Sequence, residues 1–211
     1  MHSVLKRLSA RCLALGVLGG AALLSGHALA AENDNFRVAL PEGYEVASYT
    51  TNANLDGGLV NFATSNGSKR LRLQSYLMEY MPSDLQKQAV SNPSRFAKTI
   101  LSTRLTKDCV NYEVNIGRVR HYNNGQHINW WSTCEQVNSA GSYEFERGRL
   151  YLSDYGTYIY SHYETNKGKD FKFSVKEVKW FDRYLSNSAL CESGEDCGLE
   201  GKLVDKIFVQ K

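Results

Sequence analysis

The feature that most restricts the fold of this 211-residue chain is a repeated alternation of apolar and polar residues between turn signals. Residues 71–77, for example, alternate with a period of two, which is typical of a strand with one buried face. Residues 123–125, Asn-Asn-Gly, separate two further alternating segments and favour a tight hairpin, because these residues accept positive φ values. A second hairpin is predicted from residues 143–152 and 157–164. The chain is therefore predicted to form a mainly antiparallel sheet of hairpins.

Two parts of the chain change to a helical period. Residues 83–90 form one helical segment, and the Asn92-Pro93 pair restarts the helix toward residue 105, because Asn is a favourable cap and Pro a favourable first-turn residue. Ser174 and Glu177 have the spacing of a capping box, which predicts a later helix. The order of elements predicts an α+β fold, with the antiparallel sheet covered by two helical segments packed on one face.

The first 30 residues have the pattern of a cleaved secretory signal peptide. A basic start precedes the uncharged apolar run at residues 13–24, and Ala28-Leu29-Ala30 provides the small residues that signal peptidase needs. The apolar run is shorter than the roughly 20 residues of a spanning helix. We therefore expect export by the general secretory route, cleavage after Ala30, and a single domain of residues 31–211 that is periplasmic or secreted, without a membrane span.

Removal of residues 1–30 changes the charge balance. Three of the 25 Lys and Arg residues and none of the 22 Asp and Glu residues lie in that segment, so residues 31–211 carry 22 of each. A formally neutral domain lacks the basic excess that attracts nucleic acids and anionic membranes. The composition therefore argues against a nucleic-acid partner.

Four cysteines remain after cleavage, and an even number in an oxidising compartment favours two disulfides over a zinc site. Cys191 and Cys197 flank a short polar loop that brings them within disulfide distance, which leaves Cys109 and Cys134 as the other pair. A two-residue turn at residues 124–125 opposes this second pairing, because it places Cys134 about 20 Å along the strand from Cys109. A looser turn, a loop at Cys109 and a crossed connectivity all remain open.

The three histidines of residues 31–211 are the natural candidates for a metal or catalytic site. With a two-residue turn at residues 124–125, His121 and His127 lie on opposite faces of the sheet, whereas a three-residue loop pairs them directly. No metal site, cofactor or catalytic residue is predicted, since the common catalytic motifs do not occur in a suitable context.

The second hairpin and the strand before it are rich in aromatic and basic side chains. Tyr and Arg provide much of the binding energy at protein interfaces, and Trp can stack on a sugar ring or a peptide. The alternative is that these rings are half-buried strand residues. The binding hypothesis assigns an exposed face to Arg147, Arg149, Tyr151, Tyr158, Tyr160, Trp130 and Trp131.

Residues 36–44, FRVALPEGY, contain a Pro-Glu-Gly turn and are followed by a meander, a helix, hairpins and a late helix. This arrangement resembles the Mog1/PsbP-like fold, whose members include small exported bacterial proteins. The resemblance covers the order of elements over most of residues 31–211, and its only motif is the short turn. Members of that fold mostly act as binding or assembly factors, so the resemblance implies a non-enzymatic role.

Two classes of function follow from the sequence. The favoured class is a non-catalytic binding or inhibitory factor, of an immunity or assembly type, that acts on a protein partner in the cell envelope through an exposed sheet face or hairpin loops. The other class is an envelope-polymer hydrolase, with Glu144 and Glu146 on one strand face as its acid and base. The sequence leaves the oligomeric state unknown.

Overall fold

The computed structural model describes residues 35–51, 57–65, 67, 70–122, 125–138, 141–167, 170–186, 188–191, 199 and 202–203. Its elements are β1 (Asn35–Leu40), β2 (Tyr44–Thr51), β3 (Gly57–Thr64), β4 (Arg70–Leu77), a 3-10 turn (Met78–Tyr80), α1 (Ser83–Ser91), α2 (Pro93–Asp108), β5 (Cys109–Tyr122), β6 (Gly125–Gln136), β7 (Tyr143–Leu152), β8 (Gly156–Lys167), α3 (Val175–Leu185), β9 (Ser188–Cys191) and β10 (Lys202–Leu203). The predicted signal peptide, residues 1–30, lies outside the described residues.

The strands form two sheets in the described part of the chain. The larger sheet has seven strands in the order β2-β3-β4-β8-β7-β6-β5, and all of its neighbouring strands are antiparallel. The smaller sheet has the order β10-β1-β9, so it joins the N-terminal strand to two strands near the C-terminus. The predicted α+β fold with a mainly antiparallel sheet is confirmed.

Both faces of the seven-stranded sheet are covered, because its central strands are apolar on both sides. Leu150 and Tyr151 are neighbours on β7 and therefore point to opposite faces, yet both are buried. Leu150 packs in one core with Phe96 of α2, and Tyr151 packs in a second core with Phe181 of α3. The prediction that the helical segments share one face is therefore wrong, since two apolar faces require two covering layers.

The helix boundaries follow the capping signals of the sequence. The Asn92 side chain accepts a hydrogen bond from the Arg95 backbone N–H at 3.0 Å, and Pro93 is the first residue of α2. At α3, the Ser174 hydroxyl accepts from the Glu177 backbone N–H at 3.2 Å, while the Glu177 carboxylate accepts from the Ser174 backbone N–H at 2.7 Å. The predicted capping box is confirmed, and both helices begin where local chemistry satisfies their first N–H groups.

The hairpin of β5 and β6 has a different register from the one expected for a turn at residues 124–125. Tyr122 pairs with Gly125, so the turn is one position earlier, at residues 123–124, which lie outside the described residues. One extra residue on β5 then shifts the register between Ile116 and Val119, and another shifts it near the start of the strand. The earlier turn and the first extra residue together place Cys134 opposite Tyr112 and not opposite Asn115, three residues nearer the start of β5.

The Cys109–Cys134 disulfide is confirmed, with 5.4 Å between the two Cα atoms. The shifted register places Cys134 opposite Tyr112, and the extra residue between Cys109 and Asn111 brings Cys109 closer still, which removes the geometric objection to this pair. Cys191 is also disulfide-bonded. Its predicted partner, Cys197, lies outside the described residues.

Candidate functional site

Most side chains of the predicted binding face are buried. Tyr151, Tyr158 and Tyr160 are at most 1% exposed, and Trp130 is 2% exposed. Trp130 also belongs to the core under α2, on the opposite face of the sheet from the three tyrosines. The expectation that these four aromatic residues are exposed is therefore wrong.

The tyrosines are covered by elements from both ends of the described chain. The ring of Phe36 on β1 stacks on Tyr158 with 4.8 Å between the ring centroids, and it lies 5.0 Å from the ring of Tyr151. The Tyr151 hydroxyl donates a hydrogen bond to the Ser188 backbone oxygen of β9 at 2.7 Å. These contacts make the tyrosine face part of the protein core.

The two arginines of the predicted face hold α3 against the sheet. The Arg149 guanidinium donates to the Leu185 carbonyl at 3.0 Å, and Arg147 forms an ion pair with Asp182 at 3.0 Å. Both contacts lie in the last turn of α3, where a cation is favourable because the helix dipole places partial negative charge there. Arg149 also donates to the Asn129 side chain at 2.9 Å. Both arginines therefore have structural partners.

Trp131 is the member of the predicted set that keeps a large exposed surface, at 39%. It lies between Asn115 of β5 and Arg147 of β7 in the strand pairing. Because cross-strand partners share a face, its ring is on the α3 side of the sheet, beside the helix rather than beneath it. The row next to it pairs Glu113 with Thr133. We call Glu113, Asn115, Trp131, Thr133 and Arg147 the Trp131 patch.

The other face of β7 carries the carboxylate pair considered for catalysis. Arg104 of α2 donates to both oxygens of Glu146, with 3.0 Å for the Nη1 to Oε1 contact. Arg72 of β4 donates to Glu146 at 3.3 Å, and the Ser161 hydroxyl donates to it as well. Burial alone would raise the pKa of Glu146, but the two arginines lower it. Glu146 is therefore an ionised and fully bonded counterion.

Glu144 has a different environment, at the edge of a cleft of about 250 Å³ near the end of α2. Burial raises its pKa, Arg72 acts in the opposite direction through a 3.3 Å hydrogen bond, and the charge of Glu146 raises it further. Asp108 and the Cys109–Cys134 disulfide also line the cleft. The cleft is thus polar, with both signs of charge on its walls.

Glu144 and Glu146 are not a free pair of carboxylates. Acid and base catalysis at a glycosidic bond needs two carboxyl groups that both contact the substrate or its water. Glu146 is 1% exposed, and its oxygens are occupied by donors from three side chains. Of the two glutamates only Glu144 borders the cleft, so Glu144 and Glu146 resemble a structural ion network more than an acid–base pair.

Sequence reasoning identified the two glutamates but missed their partners. Arg72 occupies a polar position of the alternation on β4 and gave no signal, whereas Arg104 continues the buried stripe of α2 one turn after Ile100. A charged residue inside an apolar pattern needs a buried partner. That signal was present in the sequence and pointed to this network.

The histidines do not converge on one site. His121 pairs with Gln126, and His127 pairs with Arg120, so the two rings lie on opposite faces of the sheet, as expected for a two-residue turn. His162 is 4% exposed and lies on another strand, β8. Within the described ranges, no three His, Cys, Asp or Glu side chains are grouped so that they could hold a metal ion.

Comparison of the chain with protein-family models and with curated protein sequences finds no match. In the part of the chain that the structure describes, none of the helices has the length and apolar character needed to cross a membrane. The function is therefore inferred from the residues themselves.

Proposed function

We propose that this chain is an exported, non-catalytic binding factor that acts on a protein partner in the envelope of a Gram-negative cell. The proposal rests on one observation, the exposed ring of Trp131 on β6, the strand next to the β5 edge of the sheet. Trp and Arg are the residues most enriched among those that dominate the binding energy of protein interfaces. The Trp131 patch combines such a ring with charged and amide side chains.

The patch is held rigidly, which favours binding. Trp131 is paired with β5 on one side and β7 on the other, so its backbone is fixed in both directions. Asn115 donates to Glu113 at 2.8 Å, and Arg147 is oriented by its ion pair with Asp182. A preorganised surface loses little conformational entropy when a partner binds. The neighbouring strands therefore support a binding role for this face.

Two further considerations support a binding factor over a hydrolase. Glu146 is neutralised by Arg72 and Arg104, which removes one of the two carboxylates that a hydrolase needs. The resemblance of residues 36–44 to the Mog1/PsbP-like fold, whose members mostly bind or assemble, supports the same class. Fold alone does not determine function, so the test must be made on the patch.

Export is tested by the intact mass of the protein recovered from the periplasm. We expect a chain that begins at Ala31 and has a mass about 4 Da below its fully reduced value, because each of two disulfides removes two hydrogens. Mass spectrometry before and after reduction measures both quantities. A chain that retains residues 1–30, or one with four free thiols, contradicts the proposed export.

The binding role is tested by Trp131→Ala. We expect the affinity for the envelope partner to fall by about 1–2 kcal/mol or more, while the thermal stability of the domain changes little because the ring is exposed. The partner is first captured by a photocrosslinking residue at position 131 in intact cells. Its affinity for the wild-type and variant chains is then measured by calorimetry.

Tyr80→Ala is the matched control, since Tyr80 is an aromatic residue that is 50% exposed on the 3-10 turn. A crosslinking residue at position 80 should capture no stoichiometric partner, and Tyr80→Ala should bind as the wild type does. Equal affinity of the Trp131→Ala variant and the wild type would refute the role of the patch. Turnover of peptidoglycan fragments that is lost in Glu144→Gln would support the hydrolase instead.

A further inference from the structure

β5 is an edge strand of unusual length. It contains 14 residues and pairs with β6 on one side, and no strand in the described part of the chain pairs with its other side. The mean strand in soluble proteins has about 5–6 residues. An exposed edge leaves a row of N–H and C=O groups that can pair with another chain, so proteins usually shorten or cover it.

The charged side chains of β5 are arranged in two groups along the strand. Glu113 lies in the first half, and Arg118 and Arg120 lie in the second half, and all three are exposed. The strand pairing places Glu113 opposite Thr133 and Arg120 opposite His127, on the same face of the sheet as Trp131. The edge is therefore acidic toward its start and basic toward its end on one face.

We propose that β5 pairs with β5 of a second copy of this chain, antiparallel across a two-fold axis near Ile116. An axis between Ile116 and Gly117 places Glu113 of each copy opposite Arg120 of the other on the same face of the sheet, with Arg118 two residues away along the same strand. A two-fold contact uses the same surface twice, so the two complementary contacts form together. Parallel pairing in register would instead place Glu113 opposite Glu113, and like charges directly opposite each other are destabilising.

The other face of the strand is consistent with the same arrangement. Tyr112 is 39% exposed on the α2 side of β5, opposite Cys134, and Val119 lies on that side as well. Antiparallel pairing about this axis makes Val119 of one copy a diagonal neighbour of Tyr112 of the other, within reach of the aromatic ring. An aromatic and β-branched pair of this kind stabilises neighbouring strands. The dimer would therefore cover the Tyr112 ring that is exposed in the single chain.

The irregular part of β5 lies at the proposed axis. The register shift between Ile116 and Val119 would be shared by the two copies at the same level. Gly117 carries no side chain there, and a Cβ atom on it would lie 2.8 Å from the Asn129 backbone oxygen. The two seven-stranded sheets would join into one sheet, with both Trp131 patches on the same face.

The oligomeric state of the oxidised chain without its signal peptide tests this proposal. We expect sedimentation velocity to give a dimer whose dissociation constant rises at least tenfold in Glu113→Arg and in the double variant Arg118→Glu with Arg120→Glu. Mixing these two variants should form a heterodimer, because each then supplies the charge that the other lacks. Circular dichroism and thermal unfolding confirm that each variant is folded.

The matched controls reverse charges on exposed residues elsewhere: Glu79→Arg, and Lys172→Glu with Lys176→Glu. Both controls should dimerise as the wild type does. A wild-type chain that is monomeric at all concentrations overturns the proposal, as does a dimer that is unchanged in both β5 variants. The measurement requires no envelope partner, so its result is independent of the Trp131→Ala test.

Discussion

Replacing Tyr151 by Ala is expected to lower the free energy of unfolding by about 3–5 kcal/mol, the range observed for truncation of large buried aromatic residues. The ring is 1% exposed and packs against Phe36 at 5.0 Å between centroids. Its hydroxyl donates to Ser188 of β9. The substitution therefore leaves a cavity between the seven-stranded sheet and the small sheet, and it also removes a buried hydrogen bond.

Urea denaturation of the oxidised protein measures this loss, and two Phe variants separate its components. Tyr151→Phe keeps the ring but removes the hydroxyl that donates to the Ser188 backbone oxygen, which should cost about 1–2 kcal/mol. Tyr160→Phe is the matched control, because the buried Tyr160 hydroxyl has no hydrogen-bond partner among the described residues. That control should be neutral or stabilising. A cost below 1 kcal/mol for Tyr151→Ala would indicate that β1 and α3 do not cover this face in solution.

Local signals were sufficient to predict the hairpins and the helix starts. The Asn-Asn-Gly segment, the Asn92-Pro93 pair and the Ser174–Glu177 capping box act within a few residues of their own position. Their structural effect therefore depends little on the rest of the chain. The antiparallel sheet follows from these short-range signals together with the alternation of the strands.

The burial of the tyrosine face depended on contacts that are distant in the sequence. β1 pairs with β9, with Phe36 opposite Leu190, and this pairing brings a covering strand over Tyr151 and Tyr158. Alternation showed which residues share a face, but it does not show whether another layer covers that face. The three tyrosines were therefore correctly grouped on one face and wrongly assigned to the surface, whereas Trp130 was assigned to the wrong face.

The register of the β5 and β6 hairpin shows a second limit of pattern reading. Each extra residue on β5 is accommodated in the strand without an obvious interruption of the sequence. The position of Cys134 relative to Cys109 depends on the sum of these small shifts. The disulfide requirement itself was the better guide, because it demanded a register that brings the two Cα atoms together.

Glu146→Gln is expected to destabilise the domain by about 3–5 kcal/mol, because removing one member of a buried ion network leaves the others without compensation. Arg104 loses its bidentate acceptor, and Arg72 keeps only Glu144. Gln has nearly the shape of Glu, so the loss reports the charge rather than a cavity. Thermal and urea unfolding measure the change.

Glu144→Gln makes the same chemical change two residues away and should cost about 1 kcal/mol or less, since burial already disfavours the charged form of Glu144 and Glu146 still forms ion pairs with both arginines. A second comparison replaces the charged pair itself. The double variant Arg104→Met with Glu146→Met should recover most of the stability lost in Glu146→Gln, because Arg72 keeps Glu144 and no buried charge remains unpaired. If Glu146→Gln and Glu144→Gln both lower the free energy of unfolding by the same small amount, the network is hydrated in solution. Glu146 would then again be a candidate for a reactive carboxylate beside the cleft.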